Sequence, residues 1–193
     1  MKKKLLLLLT LAILPCSSNF AQMKANSISE KGKENSIQHK TVKVIDGKAS
    51  IVLPVFFEKM TEQQINDKYA SANPKPKEIW YLDTGKSIIT LSFTMPFPDK
   101  KLIDEHVPKL AEMMKRQMAD LKPVLTTKKV NGLTVSRLET VAKDASGNGT
   151  TVYSILQLSS FNDRLLMTTF NVSAQLKDKY YSTGEVALDS LTY

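Results

Sequence analysis

Two histidines, one cysteine and 19 acidic residues are what this 193-residue chain has for metal, nucleophile or acid–base chemistry. Their spacing brings few of them together. His106 lies beside Asp104 and Glu105, but neighbours along a helix point in different directions, so the three do not converge on one ion. His39 stands in a polar stretch far from it. Asp144-Ala-Ser-Gly-Asn-Gly149 has the composition of a calcium loop without its ordered acidic spacing, and reads as a hairpin tip. A Ser-His-acid triad would have to recruit His106, and no Gly-x-Ser-x-Gly holds a serine for it. Gly-x-Gly-x-x-Gly and the P-loop are also missing, so nucleotides have no handle. The inventory predicts no enzyme, no cofactor and no metal. Carboxylates from separate strands can still meet in three dimensions, which keeps a carboxylate-dependent hydrolase open as an alternative.

Two groups of residues are suited to binding instead. Met113, Met114 and Met118 give a helix a soft, adaptable surface, although the same spacing also fills a core. Phe56, Phe57 and Met60, with Trp80 and Tyr81, supply aromatics beside lysines. Some of that set must be interior. Phe56, Phe57, Trp80 and Tyr81 are the candidate partner surface.

The N-terminus carries an address. Lys2, Lys3 and Lys4 precede an apolar run from Leu5 to Leu14 broken by Pro15, and Asn19-Phe20-Ala21 follows. That is the tripartite pattern of a secretory signal peptide over residues 1–21, with cleavage expected after Ala21 and after Ser18 as the fallback. The apolar run is about half of the ~20 residues a spanning helix needs. Cleavage removes Lys2–Lys4 and no acid, taking the formal charge from +8 to +5. The remaining lysines are interleaved with acids, which describes a solvated surface rather than a nucleic-acid patch. Cys16 goes with the signal, leaving no thiol for a disulfide or a metal. The alternative is a lipoprotein acylated on Cys16, against which Pro15 stands where a small residue is expected. The expected location is periplasmic or secreted.

Residues 22–40 are polar, with isolated Ile28 and Ile37, and read as a flexible leader. A single domain over 41–193 follows, large enough to fold without disulfides. Turn-formers divide it. Asp46-Gly47 sits between Thr41–Ile45 and Ala49–Leu53, Asp83 to Lys86 between Glu78–Leu82 and Ser87–Met95. In the last of these Ile89, Leu91, Phe93 and Met95 alternate with Ile88, Thr90, Ser92 and Thr94 and are the expected apolar face. Asn131-Gly132, Asp144–Gly149 and Asn162-Asp163 separate four further strands ending at Val172. Thr61 offers a cap to a short helix carrying Ile65 and Tyr69. Asp99 is the expected cap of a long helix to Leu121, its stripe being Ile103, Val107, Leu110, Met114, Met118 and Leu121. Pro108 predicts a kink or a break there. Val107, Leu110, Met114 and Leu121 are expected to lie against the sheet and meet apolar residues of the strand Ser87–Met95. Ser173 is the expected cap of a last helix with Leu176, Tyr180, Ala187 and Leu191, interruptible at Gly184. Blocks of strands and helices in this order predict an α+β fold.

With that order in view, Thr41 to Tyr193 resembles the PsbP/DcrB-like superfamily. Ala49-Ser-Ile-Val-Leu-Pro54 is similar to its opening strand, Arg164-Leu-Leu-Met-Thr-Thr-Phe170 to its last strand, and Leu188-Asp-Ser-Leu191 to its closing helix. The resemblance implies an antiparallel sheet flanked by helices, an α/β/α sandwich. It implies no shared catalytic site, and binding of other proteins as the common role. Together these readings describe an exported, non-catalytic binding module of the bacterial cell envelope that docks a protein partner. An immunity or effector-binding role is one version of it. A carrier of a small apolar ligand, held between sheet and helix, is a further alternative.

Overall fold

Hairpin turns set the strands. The computed structural model describes residues 37–193 apart from Lys86, Pro98 and 144–148; the expected signal peptide, most of the expected leader and the expected hairpin tip at Asp144–Asn148 lie outside the described residues. β1 (His39–Val44) and β2 (Ala49–Pro54) pair antiparallel around Ile45, Asp46 and Gly47, all at positive φ. A β-branched residue such as Ile45 rarely adopts that conformation. Here its side chain is buried and its N–H donates to Glu78 Oε2 at 3.0 Å. β1 begins at His39, two residues ahead of Thr41.

The two-residue β3 (Glu58–Lys59) leads into α1 (Glu62–Lys68), which opens on a capping box between Thr61 and Gln64. β4 (Glu78–Asp83), β5 (Ile88–Thr94), α2 (Val107–Gln117), β6 (Val124–Val130), β7 (Leu133–Lys143), β8 (Thr151–Phe161), β9 (Arg164–Ser173) and α3 (Lys177–Asp189) follow. Seven of the strands form one antiparallel sheet in the order β3-β4-β5-β9-β8-β7-β6. The chain therefore returns from the meander to lay its last strand beside β5. β1 and β2 form a separate ribbon, tied to the C-terminus by a bridge between Ser50 and Thr192.

Side chains alternate across a strand, so each face of the sheet can be read from the register. One face carries Leu91 and Phe93 of β5, Phe170 and Val172 of β9 and Ile155 of β8. These join Ile51 and Leu53 of the ribbon and Tyr180, Ala187 and Leu188 of α3 in one buried cluster. Gly184 does not interrupt α3. A Cβ there would stand 2.2 Å from the Phe170 ring, so glycine is what lets the helix come this close.

The opposite face carries two clusters. Ile65 of α1 and Tyr69 at its C-cap cover Ile79 and Tyr81 of β4. Val107, Ala111 and Met114 of α2 cover Leu138, Leu156, Leu158 and Met167. Three expectations change here. The long helix does not start at Asp99: it begins with a 3-10 turn at Asp104–His106, and Pro108 lies in the first turn of α2, where a missing N–H costs nothing. The sheet contact of α2 is with β6, β7 and β8 rather than β5. Its stripe passes through Ala111, leaving Leu110 and Leu121 half-buried and Ile103 exposed. Among the described residues, no helix is long and apolar enough to cross a membrane.

Candidate functional site

The four aromatics expected to form a partner surface do not share one surface: Phe56 and Phe57 lie in the link between β2 and β3, and Trp80 and Tyr81 on β4. Trp80 and Tyr81 are neighbours on β4 and so point to opposite faces. Tyr81 is 6% exposed beneath α1, and Phe57 is 1% exposed in the core under α3. Both are interior residues. Phe56 and Trp80 stay near the surface on the α3 face.

What surrounds those two is a small aromatic lip. β2 ends at Pro54, and Val55 and Phe56 follow, 45% and 37% exposed. The Phe56 ring meets Tyr180 edge-on at 6.2 Å and lies 6.0 Å from Phe57. Lys40 holds this turn by donating to Val55 O at 2.9 Å and Phe57 O at 3.1 Å, while its ammonium stands 5.9 Å from the Trp80 ring centre. Trp80 is fixed in turn: its indole N–H donates to Glu78 Oε1 at 2.7 Å. A rigid ring with a lysine over it suits a protein contact, because little side-chain freedom is left to lose.

Glu78 is the organiser of this corner. It is 4% exposed and receives the Ile45 N–H, the Trp80 indole and Lys59 Nζ at 3.1 Å. Asp46 lines the same shallow recess. The two are an acidic pair at one recess, yet Glu78 is held by three donors as a structural carboxylate. His39 and His106 are both exposed. Among the described residues, no three His, Cys, Asp or Glu side chains are grouped to hold a metal.

A second site lies on the opposite face, between α1 and the sheet. Met60, Lys68, Tyr69 and Val152 line a small open cleft with Ser87, Thr90, Thr150, Asn171 and Ser173. Asn171 is used from both ends: Ser154 Oγ donates to its Oδ1 at 2.6 Å, and its Nδ2 donates to Thr90 Oγ1 at 3.3 Å. Burial raises the Tyr69 phenol strongly. Sequence reasoning missed this cleft. Its signal was the run Thr90, Ser92, Thr94 on β5, small polar residues on a face that elsewhere is covered by helices.

The methionines divide as well. Met114 is buried, Met118 half-buried and Met113 exposed, so the soft helix surface is mainly core.

No family model matches the sequence, and no curated protein matches it. Solved structures do resemble the fold. Cyanobacterial PsbP (CyanoP) from Synechocystis sp. PCC 6803 superposes with a TM-score of 0.51 at 10% identity, covering 86% of this chain and 98% of that one. LpqN of Mycobacterium tuberculosis, involved in cell envelope biogenesis, gives 0.50 at 12%, covering 82% and 92%. A protein of Bacteroides thetaiotaomicron VPI-5482 gives 0.49 at 13%, covering 80% of this chain. The chain spans about half the length of that third protein, 48%. The PsbP-like α+β fold is thus the fold of this chain, as the sequence resemblance implied.

Proposed function

We propose that this chain is an exported, non-catalytic module of the bacterial cell envelope that docks a protein partner through the Val55–Phe56 lip. The observation that carries the reading is the exposed Val55-Phe56 pair, set beside Trp80 and Tyr180 and braced by Lys40. Aromatic anchors held rigid at a surface are what interfaces concentrate their energy in. The positive N-terminus and apolar run to Leu14 support export, and the involvement of LpqN in cell envelope biogenesis is in keeping with that location. An immunity or effector-binding role is the finer version, and no residue described above selects it.

A photo-crosslinking residue at position 56 in the producing cell should give one discrete adduct, and the same residue at exposed Met113 on the far side should not. Phe56→Ala should weaken the adduct formed from a crosslinker at Val55 while changing stability by less than about 1 kcal/mol, as surface substitutions do. Equal adducts from positions 56 and 113 would place the contact elsewhere. The mature protein should begin at Gln22, unmodified, by mass spectrometry. Diacylglycerol on Cys16 would make it a membrane-anchored lipoprotein instead.

A further inference from the structure

The sheet ends differently at its two edges. On one side β3 is two residues long. On the other β6 runs from Val124 to Val130, and among the described residues no strand pairs with its outer side. Its register with β7 is unbroken from Val124 and Glu139 to Val130 and Leu133, so no bulge bends it, and it contains no proline. Bulges, prolines and short length are what commonly blunt an open edge. The turn joining β6 to β7 fixes which backbone groups are free. Asn131 and Gly132 form a two-residue loop, both at positive φ, the type I′ geometry in which the flanking residues bond each other. Val130 and Leu133 are therefore a hydrogen-bonded pair, and in alternation so are Lys128, Thr126 and Val124 with their partners. The N–H and C=O groups of Leu125, Thr127 and Lys129 point outward. Side chains stand closer in the non-bonded pairs, and Thr127 does meet Ser136 at 2.9 Å and Lys129 meets Thr134 at 2.7 Å.

Lysines guard an edge too, but only against some strands, and β6 carries two of them and no acid. Lys128 shares Asp189 with Arg137, and Lys129 bonds Thr134, whose N–H donates to Asp104. Three cations thus stand against two carboxylates at this end of the strand. A second copy of β6 would bring the same lysines and be repelled, whereas a strand carrying acids would be attracted. The other end is apolar. Val124 is 59% exposed opposite Glu139, and Val141, 47% exposed, lies two residues further along β7 on the same face. An acid at that end would meet Glu139. We propose that β6 is a strand-addition edge for an extended peptide segment running antiparallel to it, with acidic residues against Lys128 and Lys129 and apolar residues against Val124 and Leu125. Main-chain bonds to Leu125, Thr127 and Lys129 supply the affinity, and the lysines supply the choice. This site is separate from the Val55–Phe56 lip, which lies beside β4 at the other end of the sheet order.

The probes are two capped hexapeptides, Glu-Glu-Thr-Thr-Val-Val and Lys-Lys-Thr-Thr-Val-Val, titrated into the ¹⁵N-labelled chain over residues 22–193. The acidic peptide should bind about tenfold more tightly, since two cross-strand charge pairs attract in one case and repel in the other. The amides of Leu125, Thr127 and Lys129 should shift most and gain protection from exchange, while Thr126 and Lys128 between them move less. N-methylation of the peptide's third and fifth residues, whose N–H groups face β6, should abolish binding, and N-methylation of the fourth and sixth should not. Lys129→Glu should remove most of the preference for the acidic peptide. Should that change loosen the hairpin, Lys129→Gln keeps the length without the charge and should reduce the preference in the same direction. Phe56→Ala should leave peptide affinity unchanged, so the edge and the lip stand or fall separately. Equal binding of the two peptides, shifts without the alternation, or no shifts overturns the proposal. So do shifts at these amides on raising the protein concentration alone, which would assign the edge to a second copy, and protection lost on removing residues 22–36, which would assign it to the chain's own leader.

Discussion

The two faces of the sheet are covered in different ways. On the α3 face, helix, ribbon and strands share one cluster, and at Gly184 helix and sheet touch more closely than any side chain would allow. On the other face, α1 and α2 cover separate clusters, and Ser154, Asn171 and Thr90 run between them as a bonded polar seam. The polar groups differ in kind too. The α3 face buries an arginine lashed to the helix end, whereas the seam is neutral and stays within the sheet. A face closed in one piece resists change anywhere on it. A face built as two islands leaves polar strand surface between them, and the cleft opens beside the α1 island.

The largest expected effect tests the close contact. Gly184→Ala places a methyl on the Phe170 ring, so α3 must lift or the ring must leave its rotamer, and the strain spreads through the whole cluster. Urea unfolding should show a loss of about 3 kcal/mol or more, at the upper end of what overpacking costs. Phe170→Leu in the same chain should recover part of it by vacating the space. A Gly184→Ala variant with wild-type stability would mean the two elements are not in contact.

Next in size is a test of separateness. Met114 is 2% exposed, so Met114→Ala should cost roughly 2–3 kcal/mol through lost burial and the cavity left behind, while half-buried Leu110→Ala should cost about half that. Ile65→Ala removes methyls from the other island. If the islands are independent, the double variant Met114→Ala/Ile65→Ala should equal the sum of the singles within about 0.5 kcal/mol. Coupling well above that would mean the seam transmits packing, and the contrast between the faces would fail.

The asymmetry between the faces also explains what the sequence made legible. Asp46-Gly47, Asn131-Gly132 and Asn162-Asp163 are local signals, and each falls at a turn with residues in the left-handed region. The alternation of Ile89, Leu91 and Phe93 with Thr90, Ser92 and Thr94 is also local, and it gave the correct inner face of β5. Partner choice is not local. The stripe on α2 says that the helix has an apolar side and not which strands receive it, so β5 was the expected neighbour and β7 and β8 are the actual ones. Gly184 read as a break because its reason, the Phe170 ring, lies in another element. For the site, Phe56 and Trp80 were visible as aromatics, and strict alternation on β4 already separated Trp80 from Tyr81. Ser173 could not be read at all: its residue type announces a cap, yet its hydroxyl bonds no N–H of the turn that opens α3.

The smallest effect concerns the charged fastening of α3. Arg137, 4% exposed, donates to Gln157 Oε1 at 2.8 Å and to Asp189 Oδ1 at 2.8 Å, and Lys128 reaches the same carboxylate oxygen at 2.6 Å. Burial by itself would raise the Asp189 carboxyl, but Lys128 and Arg137 outweigh it and hold the group below the usual carboxylate range. A carboxyl depressed by folding stabilises the fold above its unfolded pKa of about 3.9, and that contribution disappears as pH falls through the lower folded value. Because Asp189 is 47% exposed, solvent screens the pair and the effect is modest. Asp189→Asn should therefore cost about 1 kcal/mol near neutral pH, and its stability curve should converge on the wild-type curve as pH drops below about 4. Chemical unfolding across that range reads both. The result bears on the comparison directly, since the seam on the other face has no charged group in its bonded chain and Asn171→Ala should give a loss that does not change over the same pH interval. If instead the Asp189→Asn deficit persists undiminished in acid, the fastening acts by shape rather than by charge, and the two faces differ only in packing.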